Sequence, residues 1–230
     1  MGTMTGARDT IATPATGAPV RLARLAFALN AVVAAVGLAV KFGYAATTAD
    51  PQFSSVFGRV ANELCYFTIQ SNIIVIAVCA ALAWGGAAWR WMAGVPRLVA
   101  LVCITITAVV YYAILASDEH FVGLAKVGDV LAHLLSPVLF VATFVFLGPH
   151  GLLRRAHVGW MLVFPAFWVA LTLVRGAIIH YYPYGFVDVK ENGYVAVTIT
   201  IAAFSLAAAA MAAAGVWFDG RVSRAPSTRR

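Results

Sequence analysis

The sequence predicts an all-α polytopic membrane protein, a bundle of six transmembrane helices with both termini in the cytoplasm. Three observations carry this. The 230 residues are 62% hydrophobic and only 11% charged, whereas soluble domains are nearer half apolar. Six apolar runs stand out at about 22–44, 64–88, 97–117, 128–148, 157–180 and 194–217, each close to the ~20 residues that cross a hydrocarbon core as a helix. Alternating strand patterns are absent, which argues against a β-barrel. Basic residues fall on alternate connections. Arg8, Arg21 and Arg24 precede the first run, Arg90 and Arg97 separate the second and third, and Arg154 and Arg155 separate the fourth and fifth. Arg221, Arg224, Arg229 and Arg230 follow the sixth. The other connections hold Arg59, Lys126 and Lys190 with most of the acids, so the positive-inside rule places the arginine-rich side in the cytoplasm.

The net charge of +7 is therefore topological, with help from anionic lipid at the inner leaflet, and does not indicate a nucleic-acid partner. Residues 1–20, rich in Thr, Ala, Gly and Pro, read as a disordered cytoplasmic lead. The first run contains Lys41 and exceeds a usual signal-peptide core, so it reads as a retained helix despite the Ala45-Ala46 that follows. The loop at about 45–63 is the longest and carries the Asp50-Pro51 turn signal. Gly85-Gly86 with Pro96, and Gly148 through Gly151, mark turns on the opposite side. Short connections make successive helices antiparallel neighbours. Pro137 and Pro165 fall inside runs and should kink them. Trp84, Trp89 and Trp91 read as one interfacial belt, and Tyr181, Tyr182 and Tyr184 as the other. The membrane domain spans 21–218, and 219–230 reads as a basic cytoplasmic tail.

Three runs carry polar groups at similar depth, all toward the outer face. Such groups are rare in a bilayer unless they have a partner or a task. Thr68 is expected about one turn inside the second run, on the order of 6–8 Å deep at 1.5 Å per residue. Asn72 lies one turn deeper on the same face. Asp129 and His133 are also four apart, so the carboxylate can reach the imidazole. Arg175 lies about a turn below His180, and Lys41 lies near the outer end of the first run. The inner half of every run reads as apolar.

A hydroxyl nucleophile needs a base within hydrogen-bond reach, and the base benefits from an orienting partner. Thr68 can attack a carbonyl while His133 takes its proton. Asp129 can hold the histidine tautomer, as the acid does in a Ser-His-Asp triad. Asn72, Ser71 and Arg175 are the candidate donors to an oxyanion. A site near the interface suits a lipid ester, so membrane lipids and a hydrophobic acyl ester are the expected partners. Each residue also has a structural reading. Thr68 can bond its own helix, Asn72 can tie two helices together, and Arg175 can pair with Asp129 or Asp188. Cys65, Cys79 and Cys103 lie within predicted helices and match no metal spacing. His180 and the Asp118-Glu119-His120 loop have no diagnostic ligand spacing, so no metal or cofactor is assigned.

The segments Phe67-Thr68-Ile69-Gln70-Ser71-Asn72, Leu131 through Pro137 and His180 through Asp188 resemble the bacterial six-helix relatives of the androgen-induced-gene and androgen-dependent TFPI-regulating proteins. The similarity runs from about residue 22 to 218. Eukaryotic members are intramembrane threonine hydrolases that cleave fatty acid esters of hydroxy fatty acids. The resemblance implies Thr68 as nucleophile, His133 as base and a bacterial inner-membrane location. Two other classes stay open: a proton-coupled or small-solute transporter using His133, Asp129, Arg175 and Lys41 as relay groups, and a non-catalytic scaffold whose polar cluster ties helices together.

Overall fold

The computed structural model describes residues 18–117 and 120–224. Residues 1–17, with Arg8, most of the expected N-terminal lead, the Asp118-Glu119 pair and residues 225–230, with Arg229 and Arg230, lie outside the described residues. Within them all regular structure is helical, and six helices are long and apolar enough to cross a membrane: Val20–Thr47, Phe67–Trp84, Val95–Leu115, Gly123–Phe146, Ala156–Ile179 and Val189–Ser223.

The first, α1 (Ala18–Thr47), starts with Pro19 in its first turn, where a missing N–H costs nothing. The predicted loop after it contains a helix, α2 (Val56–Glu63), opened by the Ser55 hydroxyl accepting from the Gly58 N–H at 3.0 Å. This is an ordinary N-cap. Next come α3 (Phe67–Trp84) and a short α4 (Ala87–Met92). The expected second run, 64–88, is thus trimmed at both ends. Cys65 falls in the turn before α3, and Gly85 and Gly86 both take positive φ, at 79° and 77°, which side-chain-bearing residues rarely adopt.

Arginines cap the helix ends and fix the antiparallel order. Arg24, near the start of α1, donates to the Ala83 and Trp84 carbonyls at 2.7 and 2.6 Å, closing the last turn of α3. Arg59 in α2 donates to the Ala45 and Ala46 carbonyls at 2.9 and 3.0 Å, closing α1. Both satisfy carbonyls that a helix leaves open at its C-terminus.

The third span, α5 (Val95–Val110), ends in a π-turn at Tyr111–Leu115. The fourth joins α6 (Gly123–Val130) to α7 (Ser136–Phe146) through a π-turn at Leu131–Leu135. Pro137 explains that turn. It has no N–H to offer the His133 carbonyl, and its ring crowds that carbonyl, so the helix widens just above it. The fifth span is interrupted at Leu162 between α8 (Ala156–Met161) and α9 (Val163–Ile179). Pro165 therefore sits in the first turn of α9, just after this one-residue interruption of the span. The last helix, α10 (Val189–Arg224), kinks at Gly193 (φ 76°) and runs past residue 218, so the expected boundary of the tail falls inside a helix.

Burial is inverted relative to a soluble protein. Leu25, Phe167, Ile178 and Leu206 face outward, while Asn30, Ser71, Asn72, Asp129 and Ser136 are fully buried. That is how helices sit when their rim meets lipid and polar groups pair inside. Close approach of α1 to α6 depends on two glycines. A Cβ at Gly128 would meet Val40 at 2.6 Å, and one at Gly37 would meet Leu131 at 3.1 Å. The two glycines thereby fix the helix that carries Asp129.

The half of the bundle read as apolar is not so. Arg97, expected in a loop, is buried at 1% exposure and pairs with Asp219 of α10 at 2.8 Å. It also donates to the Pro149 carbonyl, and Asp219 accepts from the Leu153 N–H at 2.8 Å. A buried arginine is retained only when paired and hydrogen-bonded in this way.

Candidate active site

Thr68 is the second residue of α3, in its first turn rather than a turn inside the span. Tyr66 precedes the helix without a side-chain cap, so the first N–H groups have no partner within the helix. The Thr68 N–H donates instead to the Tyr184 hydroxyl at 3.4 Å. Tyr184 comes from the segment between α9 and α10, just before a 3-10 turn at Gly185–Val187.

Thr68 Oγ1 lies 3.2 Å from His133 Nε2, and both side chains are buried. On its other side the imidazole Nδ1 faces Asp129 twice, the carboxylate Oδ1 at 2.8 Å and the main-chain carbonyl at 3.1 Å. Two acceptors at Nδ1 assign the proton to that nitrogen and leave Nε2 as the acceptor for the Thr68 hydroxyl. The other carboxylate oxygen receives Lys126 Nζ at 2.8 Å. The imidazole lies flat on the Tyr111 ring, with centroids 3.8 Å apart and planes at 7°. Lys126, Asp129 and His133 share one face because they are three and four residues apart. The π-turn carries His133, and such turns recur at functional sites.

The residues expected as oxyanion donors are committed elsewhere. Asn72 Nδ2 donates to the Thr68 carbonyl at 2.9 Å and to the Ala132 carbonyl at 3.2 Å. Ser71 Oγ donates to the Thr68 carbonyl at 3.1 Å and meets Thr107 Oγ1 at 2.8 Å. These two residues clamp the Thr68 turn to its neighbours. Arg175 stands apart: it donates to Asn62 Oδ1 at 2.7 Å, and its guanidinium lies over Phe53 and Tyr181. It pairs with neither Asp129 nor Asp188. Lys41 sits over the Phe121 ring. His180 closes α9 in the left-handed conformation, φ 61°. Among the described residues no three His, Cys, Asp or Glu side chains group as metal ligands.

Thr68 opens onto a cavity of about 470 Å³ between α5, α9 and α10, within the ~300–1,000 Å³ usual for small-molecule sites. Its polar end is formed by Thr68, Thr107 and Tyr184. Its walls are Phe67, Ile106, Val110, Trp168, Leu173 and Phe204, and it runs toward Leu162 and Ala208. Burial pushes the Tyr184 phenol up to about 12, so it is a hydroxyl at physiological pH.

Lys126, Tyr111 and Thr107 are not site candidates in the sequence, and Tyr184 reads there only as an interfacial aromatic. The three-residue step from Lys126 to Asp129 was a usable signal. Tyr111 and Thr107 reach the site from a helix far along the chain and carry none, whereas Tyr184 lies in the His180–Asp188 segment. No family model, curated protein or solved structure matches this chain.

Proposed function

We propose that this protein is an integral-membrane hydrolase that cleaves a fatty-acyl ester, with Thr68 as nucleophile and His133 as base. The observation that carries this is the relay from Asp129 through His133 to Thr68, with contacts of 2.8 and 3.2 Å, ending at a hydroxyl that lines an apolar cavity. A relay of this order activates a hydroxyl, and a greasy cavity beside it suits an acyl chain.

The chemistry proceeds in two halves. Thr68 Oγ1 bonds to the ester carbonyl carbon as its proton passes to His133 Nε2. The tetrahedral intermediate collapses, the ester C–O bond breaks, and His133 returns the proton to the leaving alcohol oxygen. Water then attacks the acyl-threonine, giving its proton to His133, and the Thr68 oxygen leaves with that proton. The imidazolium formed in each half is stabilised by Asp129. Thr68 also sits at the N-terminus of α3, where helix partial charge favours developing negative charge.

The same reading makes the chain a relative of the six-helix threonine hydrolases it resembles. It places both termini in the cytoplasm of a bacterial inner membrane and the Thr68 site near the outer leaflet. The support for that orientation is the arginine distribution, Arg21, Arg90, Arg154 and Arg221 belonging to the end opposite Thr68.

The test is fluorophosphonate labelling of the purified protein in detergent, with the adduct mapped by mass spectrometry. Labelling at Thr68, absent in Thr68→Ala and weakened in His133→Ala, is the expected result. A folded protein that takes no label at Thr68 overturns the reading and favours a scaffold or transport role.

A further inference from the structure

An ester hydrolase needs a hydrogen-bond donor where the carbonyl oxygen becomes negative, and the side chains expected to supply it turn elsewhere. One hydroxyl remains at the right place. Tyr184 lies 3.5 Å from Thr68 Oγ1 and 3.4 Å from the Thr68 amide nitrogen. Its oxygen accepts the Thr68 N–H, so its own proton is free to point at another oxygen. It lines the same cavity as Thr68. Both contacts are long, so a substrate oxygen can take the place of the Thr68 hydroxyl without breaking a strong bond.

The ring is held firmly enough to act as a fixed donor. Phe186 stacks on it at 5.3 Å and 8°, Tyr66 meets it edge-on at 5.5 Å, and Trp168 packs at 5.9 Å. A donor oriented before the reaction requires no reorganisation during it.

We infer that the Tyr184 hydroxyl is a catalytic residue that donates to the carbonyl oxygen of the bound acyl ester, with the acyl chain lying in the cavity between α5, α9 and α10. The inference rests on the Thr68 reading. As Thr68 Oγ1 bonds to the carbonyl carbon, the carbonyl π pair moves onto oxygen and the threonine proton goes to His133. Tyr184 keeps its proton throughout and shares it with the oxyanion. The burial that keeps its phenol protonated to about 12 suits a donor that never transfers. The geometry also sets the orientation of the substrate. The carbonyl oxygen lies under Tyr184 at the α3 N-terminus, and the alcohol oxygen faces His133, which must protonate it.

The experiment compares hydrolysis of 4-methylumbelliferyl decanoate by the wild type, Thr68→Ala and Tyr184→Phe in detergent micelles, with thermal unfolding of each. Loss of one oxyanion donor lowers kcat about 10²–10³-fold, with kcat/KM lowered equally and the unfolding midpoint retained. If Thr68→Ala is inactive while Tyr184→Phe keeps a kcat near wild type, the donor role falls and the nucleophile reading stands. If Thr68→Ala remains active, or the wild type cleaves no ester, both fall. Should Tyr184→Phe fail to fold, trifluorotyrosine at position 184 keeps the ring and lowers its phenol pKa. Activity that is then lost as pH rises through that lowered pKa, where the native enzyme shows no such loss, supports the donor. An unchanged pH profile overturns it.

Discussion

Asp129 holds His133 at a single ring nitrogen with two oxygens, the carboxylate at 2.8 Å and the carbonyl of its own peptide at 3.1 Å. The four-residue spacing supplies both contacts at once, because the main-chain carbonyl of residue i and the side chain of residue i both face residue i+4 on a helix. Replacing the acid therefore removes only one of two orienting contacts. Asp129→Asn should keep the fold and lower ester turnover by at least about 10²-fold, the lower range for disabling a general base. Lys126→Met, which removes a half-exposed ammonium 2.8 Å from the other carboxylate oxygen, should change turnover only a few-fold. Rates of Thr68 phosphonylation in the two variants check both. Equal losses would mean that the charge on the pair, and not its orientation, controls His133.

Gly176 sets the position of the segment that bears Tyr184. The Tyr182 ring fills the space that a Cβ on Gly176 would occupy, so the loop after α9 lies directly on the helix. Gly176→Ala forces the ring away. Overpacking of this kind costs about 1–3 kcal/mol. Turnover per folded molecule should fall as well, because Tyr184 moves with Tyr182. Thermal unfolding and ester turnover measured together test this. A stability loss with full turnover would show that Tyr184 holds its place independently, through Trp168 and Phe186.

Six spans and the pairing of Asp129 with His133 were legible because they are local. Apolar length defines the first, and a four-residue step defines the second. The sequence puts Asn72 and Ser71 on the helix of Thr68, but a donor's target is not local, and theirs are carbonyls and Thr107. Tyr184 resembled any interfacial aromatic, since its partner Thr68 is 116 residues away. Arg97 resembled a cytoplasmic charge for the same reason: Pro96 and an arginine open a span in either case, and Asp219, 122 residues on, decides between them. The π-turn at His133 follows from Pro137, but a proline can bend, break or widen a helix, and packing of α6 against α1 selects among these.

The Arg97–Asp219 pair should matter for stability and not for chemistry, since it sits at the end of the bundle opposite Thr68. Removing one member leaves the other buried and charged, which costs about 3–5 kcal/mol. Arg97→Leu or Asp219→Leu alone should therefore unfold at markedly lower temperature with normal turnover per folded molecule. The double replacement should recover a large part of the loss, because no unpaired charge remains. A double replacement no better than the worse single one would show that the Pro149 and Leu153 contacts, and not the charges, hold this end.

His150 gives that same end a pH dependence. It lies between Phe144 and Phe218, with its Nδ1 3.7 Å from Asp219 Oδ1, too far for a hydrogen bond. Burial, and after it the Arg97 charge, holds the imidazole below its ordinary pKa against the opposing pull of Asp219. A histidine whose folded pKa lies below its unfolded value binds fewer protons when folded, so stability rises with pH across that window. The contribution is complete above about 6.5, the unfolded value, and is lost as pH falls through the folded one. Between pH 7.5 and 5 the unfolding midpoint of the wild type should therefore drop further than that of His150→Phe, whose ring suits the same aromatic surroundings and does not titrate. Equal drops would assign the acid sensitivity to another group and leave His150 as packing alone.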